Sequence, residues 1–96
     1  MKLLTILCSS DLTSLVEKTL EGAGIEGFMM VPDAVGVKLS AAPPHALPPR
    51  WSGSLYVVPA PDGAVAPVLA ALESYTGKCE VSPCLRIIVS SVEVMQ

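Results

Sequence analysis

Four β-prone runs and two helix-periodic segments, in the order strand, helix, strand, strand, helix, strand, predict an α+β sandwich. In it, two helices cover one face of a four-stranded antiparallel sheet. Three observations carry this. The runs at residues 2–8, 25–39, 55–60 and 85–94 are rich in Leu, Ile, Val, Met and Tyr, as half-buried strands are. The segments at 12–21 and 62–75 repeat apolar residues at helical spacing. The length, 96 residues, suits one domain with one core, so the whole of 1–96 is taken as a single unit.

In the first run Leu3, Thr5 and Leu7 point to one side, and Leu4, Ile6 and Cys8 to the other. Both sides are mainly apolar, which predicts a central strand covered on both faces. Cys8 reads as a small buried residue at its end. Ser9, Ser10 and Asp11 follow, with side-chain oxygens suited to capping a helix start. That helix places Leu12, Leu15, Val16, Thr19 and Leu20 on one stripe, leaves Glu17, Lys18 and Glu21 outside it, and ends at Gly22 and Gly24.

The second strand is centred on Phe28, Met29, Met30 and Val31, with Val35 and Val37 alternating beyond. Pro32 removes a ladder donor and predicts an edge strand or a break; Gly36 suggests a bulge. Residues 40–53 hold four prolines together with His45, Arg50 and Trp51. They read as a long loop with a mobile tip and an end anchored at Trp51. The third strand closes at Pro59. Asp62 and Gly63 then turn the chain into a helix whose stripe is Val65, Val68, Leu69, Leu72 and Tyr75. Pro67 is tolerated only in a first turn, so the regular helix is expected to begin later than Asp62. Gly77 ends that helix and Lys78 sets a cation beside its free carbonyls. Cys79 and Cys84 flank Pro83 in the connection 76–86. The last strand puts Ile87 and Val89 on one face, Arg86, Ile88 and Ser90 on the other.

Composition excludes several functions. Hydrophobic residues make up 51% of the chain and charged residues 16%, with a mean hydropathy of +0.58. No apolar run is long enough to span a bilayer, and the opening run is too short for a signal peptide. A net charge of −3 and no basic stripe argue against nucleic acid. Three cysteines do not build a secreted disulfide framework, which predicts a reducing, cytoplasmic setting. No nucleophile–base pair, paired carboxylates or Gly-rich nucleotide fingerprint is visible, so catalysis is not expected.

The element order is that of the ferredoxin-like sandwich. Two helices cover one face, yet the first and third strands are apolar on both. At roughly 25 cal/mol per Å², leaving the second face wet would forfeit several kcal/mol, a large share of a small domain's stability. Self-association in a closed ring is the predicted remedy, with sites in the clefts between copies.

Residues 12–28, ending Gly-Ala-Gly-Ile-Glu-Gly-Phe, Pro61-Asp62 with the helix to Thr76-Gly77-Lys78, and Val81-Ser82-Pro83 with Arg86 together resemble the PII signalling family and its PII-like relatives. The likeness spans nearly the whole chain. Arg50-Trp51-Ser52-Gly53 is similar to the shortened Trp-x-Gly entry of PII-like proteins associated with transport. The resemblance implies a trimer that binds an adenine nucleotide (AMP, ADP or ATP) between subunits. It also implies that the long loop, the T-loop at about 38–53, signals the bound state to a membrane transporter or a metabolic protein. Gly77 and Lys78 then match the family's phosphate contacts, Gly36 the base of its loop and Arg86 a cation at the start of its last strand. Pro48, Arg50 and Trp51 fall on the partner-facing loop. The chain departs from the family in a shorter phosphate loop, in Val89 and Ser91 where arginines are usual, and in lacking the modifiable loop tyrosine. A triphosphate would be poorly neutralised here.

Two alternatives stay open. Cys79 and Cys84, four residues apart with Pro83 between them, are within reach of a disulfide switch or of half a metal site completed by His45 or a neighbouring subunit. That would make the chain a metal-responsive PII-like or CutA-like module for efflux or tolerance. The other alternative is an adaptor recruited by its loop with no ligand.

Overall fold

The computed structural model describes residues 1–39, 47–76 and 84–93. Four strands, β1 (Lys2–Ser9), β2 (Met29–Val37), β3 (Arg50–Ala60) and β4 (Leu85–Ser91), form one sheet in the order β2-β3-β1-β4. All three pairings are antiparallel. The helices α1 (Thr13–Gly22) and α2 (Asp62–Leu72) lie on one face, which gives the ferredoxin-like sandwich.

Strand β1 is central, as its two apolar faces require. Leu4, Ile6 and Cys8 are buried beneath the helices, while Leu3, Thr5 and Leu7 are half-buried on the other side. Opposite them on β3, Ser54, Tyr56, Val58 and Ala60 take the helix side. Val16 and Leu20 of α1, Ala64, Val68 and Leu72 of α2, and Leu85 of β4 complete the core. The expected stripes supply Val16, Leu20, Val68 and Leu72; Ala64 was not among them, and Val65, Leu69 and Tyr75 are only partly buried.

Several boundaries move. No side-chain oxygen caps either the single 3-10 turn at Ser10–Leu12 or α1; Thr13 Oγ1 donates to the Ser10 carbonyl instead, at 3.1 Å. The loop expected at 40–53 ends early, because Arg50, Trp51, Ser52 and Gly53 are strand residues paired with Ala34–Val37 of β2. Prolines at 48 and 49 hide this from a compositional reading, whereas an edge hairpin needs only residues 50–53 to be free of proline. Helix α2 starts at Asp62 with Pro67 inside it, not later as Pro67 suggested. The Pro67 ring lies on the exposed side of α2, and burial of Ala64, Val68 and Leu72 outweighs the lost hydrogen bond. Glu73–Tyr75 continues α2 as a 3-10 turn, and β4 ends at Ser91, short of residue 94.

The bulge sits at Pro32-Asp33, not at Gly36. Register advances three residues on β2, from Val31 to Ala34, against two on β3, from Leu55 to Gly53. Asp33 takes the left-handed conformation, φ 56°, which Asp tolerates better than most side chains. The extra residue keeps Val31 and Ala34 on the same face, so the hairpin continues in phase beyond the bulge.

One polar contact crosses the core edge. The Tyr56 hydroxyl donates to Glu17 Oε2 at 2.7 Å, and Phe28 meets its ring edge-on at 5.3 Å. Burial, followed by the hydrogen bond and the charge of Glu17, pushes the Tyr56 phenol well above its ordinary range. A raised folded-state value means that stability from this group is whole below the ordinary tyrosine pKa of 10.0 and is lost as pH climbs above it. Tyr56→Phe should therefore cost about 1–3 kcal/mol at neutral pH. In urea melts from pH 7 to 11, the wild type should lose stability above pH 10 more steeply than the variant. Parallel curves would remove Tyr56 as the cause.

Candidate functional site

The sandwich leaves two places for a ligand on its helix-free side. One is the stem of the β2–β3 hairpin, from which residues 40–46 emerge. Lys38 N donates to the Pro49 carbonyl at 3.1 Å and closes this stem. Arg50 is exposed and pairs with Val37, Pro48 is half-buried, and Leu39 and Leu47 on either side of the emerging segment are exposed.

Below this closure Trp51 pairs with Gly36. The indole lies across Gly36 so closely that a Cβ at 36 would overlap its six-membered ring. This accounts for a glycine here without any bulge. Gly53 meets a similar demand: its missing Cβ makes room for the Cys8 carbonyl where β3 passes β1. Leu7, Ala34, Gly36, Trp51 and Gly53 help to line a shallow hollow of about 310 Å³ at the foot of the stem. That is the lower end of the range for small-molecule sites.

The second place is the start of β4. Leu85 is buried and Arg86 is exposed, so alternation sets Arg86 on the helix-free face, opposite Leu7. The stem and Arg86 are not brought together within one chain. Trp51 lies four residues before Leu55, the residue in Arg86's row. The separation is thus about 14 Å along the strands and about 10 Å across them.

Gly77, Lys78, Cys79 and His45 lie outside the described residues, so the phosphate contacts and two of the three metal or redox candidates have no geometry to report. Cys84 is disulfide-bonded, which takes away the thiolate that metal ligation needs. Among the described residues no group of three or more His, Cys, Asp or Glu is placed to hold a metal ion, and no helix is long and apolar enough to cross a membrane. Cys8 is a free, buried thiol whose pKa is raised mainly by burial, so it is a packing residue and a poor nucleophile.

The sequence reading missed Lys38 and Pro49 as parts of the stem, and named Gly53 only within the Arg50-Trp51-Ser52-Gly53 junction. Strand pairing across an interval of more than ten residues is what unites them. Only Gly53, beside Trp51, left a local signal. The larger depression, about 490 Å³ between α2 and β4, is lined by Ala66, Leu69, Ala70, Glu73, Thr76 and Ile87. It lies on the helix side, away from both places.

No protein-family model and no curated protein matches the sequence. Solved structures do match it. CPII from Thiomonas intermedia K12, bound to ADP, AMP and acetate, superposes with a TM-score of 0.75 over 99% of this chain and 88% of its own, at 16% identity. CPII with ADP and bicarbonate gives 0.66 over 95% and 86%, at 17%. The apo form, described as a nitrogen regulatory PII-like protein, gives 0.65 over 95% and 89%, at 15%. The chain has the PII-like fold. At this level of identity the likeness covers the whole sandwich and specifies its architecture, not its contacts. The stem closed by Lys38 and Pro49 forms the base of the β2–β3 connection of this chain.

The packing of Trp51 on Gly36 has a direct test. Gly36→Ala should displace the indole, shift the emission of this single tryptophan and cost about 1–3 kcal/mol. In the background of Trp51→Ala, the same change should cost less than half as much. Equal costs in the two backgrounds would mean that the ring and the glycine do not depend on each other.

Proposed function

We propose that the protein is a trimeric PII-like regulator that binds an adenine nucleotide, AMP or ADP, in clefts between subunits. It passes the bound state to a transporter or a metabolic protein through the loop at about 38–53. It acts in the cytoplasm, without catalysis, nucleic acid or membrane insertion. One observation carries the reading: a hollow at the foot of a closed loop stem opens onto an uncovered apolar sheet face, in a fold whose CPII examples hold ADP and AMP.

The physical case runs through that face. Met29 is 75% exposed, Val31 49% and Ile88 47%, and a second copy is the economical cover for them. Copies packed there would bring the stem of one chain toward the β4 start of another and close the gap between the two half-sites. Lys78 would then meet phosphate as a point charge, with Gly77 allowing close backbone approach. With few fixed cations, one or two phosphoryl groups are better matched than three.

Native mass spectrometry and calorimetric titration with AMP, ADP and ATP test this together. The expected result is a trimer that binds AMP or ADP more tightly than ATP, with affinity falling about tenfold or more in Lys78→Ala, which removes one charge-assisted contact. A trimer indifferent to all three nucleotides would refute the ligand, and a monomer at micromolar concentration would refute the assembly.

A further inference from the structure

Helix α2 is apolar all the way round. After Asp62, its residues 63–72 include no charged or hydrogen-bonding side chain, whereas α1 shows Ser14, Lys18 and Glu21 to solvent. The inward side of α2 is Ala64, Val68 and Leu72. Its outward side, Ala66, Pro67, Ala70 and Ala71, is exposed, with no described element covering it. A helix that lacks a polar face is normally covered on every side.

The outward ridge is low, because alanine and proline form it, and a hollow runs along each flank. Toward β4 lies the depression of about 490 Å³ that Leu69, Glu73 and Ile87 help to line. Toward α1 lies one of about 270 Å³, lined in part by Lys18, Pro67 and Ala71. Each flank therefore carries one exposed charge, and the two are of opposite sign. They stand about one helical turn apart along α2. Neither Lys18 nor Glu73 has an ion pair among the described residues.

Those charges select the occupant. A lipid surface calls for several Lys and Arg around an apolar helix face. Here the chain is acidic, at −3, and Lys18 is the single cation lining either hollow. A second copy answers both flanks at once. A two-fold axis lying in the contact and running along α2 exchanges the flanks, so that Lys18 of each copy meets Glu73 of the other. An axis running across α2 would instead lay each flank over itself and bring the Asp62 end of one helix onto the Glu73 end of its neighbour.

We propose that the outward face of α2 docks a second copy of this chain, the two α2 helices side by side with the same polarity and two Lys18–Glu73 pairs flanking them. The small residues of the ridge let the helix axes approach closely. The face is about 16 Å long and, with its flanks, about 20 Å wide, which gives roughly 300–400 Å² per copy. Stable pairs bury about 800 Å² per partner, so this contact is weak and depends on concentration. It lies on the side of the sheet opposite the helix-free face, and neither needs nor replaces the ring proposed there. Single chains would pair through it, and rings would join one another.

Sedimentation velocity from about 5 to about 500 µM protein tests it, a range that spans weak self-association. The size at the low end reports whether the unit is one chain or a ring; the gain in mass above that unit reports the α2 contact. The wild-type unit should at least double its mass across the range. Ala70→Arg places a bulky charge on the ridge while keeping a good helix former, and should hold the starting size throughout. Lys18→Glu and Glu73→Lys each turn two attractions into two repulsions, and each should raise the concentration needed by about tenfold. The double reversal, Lys18→Glu with Glu73→Lys, should return it to within about threefold of the wild type. A wild-type unit that gains no mass overturns the proposal and leaves the face to a different protein. Growth that Ala70→Arg does not reduce overturns it as well, because the contact then lies elsewhere. Single reversals without effect, or a double reversal no better than either single one, overturn the two-fold pairing of Lys18 with Glu73.

Discussion

One-sided cover is the constraint from which the rest follows. Two helices shelter one side of a four-stranded sheet, and Leu4, Ile6, Tyr56, Val58, Val68 and Leu72 are fully buried there. The other side keeps an apolar surface on which no described element of the same chain lies. A sheet of this width cannot be covered twice by two helices on one side, so completing the core becomes a matter between molecules. The edges of that face are where the chain places its loop stem and Arg86.

The stem shows how backbone geometry prepares a site. A bulge at Pro32-Asp33 bends the edge strand without reversing its faces, and the hairpin runs on past the end of β1. Trp51 lies on Gly36, Gly53 yields to the Cys8 carbonyl, and the Lys38–Pro49 hydrogen bond closes the loop. Each is a local demand, and together they fix the two strands where they leave the sheet at Lys38 and Pro49. Rigid scaffolds that present variable loops are a common way to combine binding with signalling.

Much of the fold was legible in the residues. Period-two alternation in residues 2–8 predicted both faces of β1, and helical stripes predicted the buried sides of α1 and α2. The prolines misled in both directions. Those at 48 and 49 concealed a strand beginning at Arg50, because a compositional reading cannot see that the pairing partner starts just past them. Pro67 suggested a late helix start, because propensity carries no information about the packing that overrides it. The site was less legible: Gly36 was singled out for the right position and the wrong reason, and Lys38 and Pro49 not at all.

The sequence by itself determined the class of fold, the central place of β1, the core residues and the surplus of apolar surface, since these depend on periodicity and composition along the chain. Tertiary structure alone decided which residues meet: Gly36 with Trp51, Lys38 with Pro49, Tyr56 with Glu17, and Arg86 on the face away from the helices. The physical reason is that a site depends on strand register and on close approach between distant segments. A single displaced residue, such as the one in the bulge at Asp33, changes both without altering the pattern of any one segment.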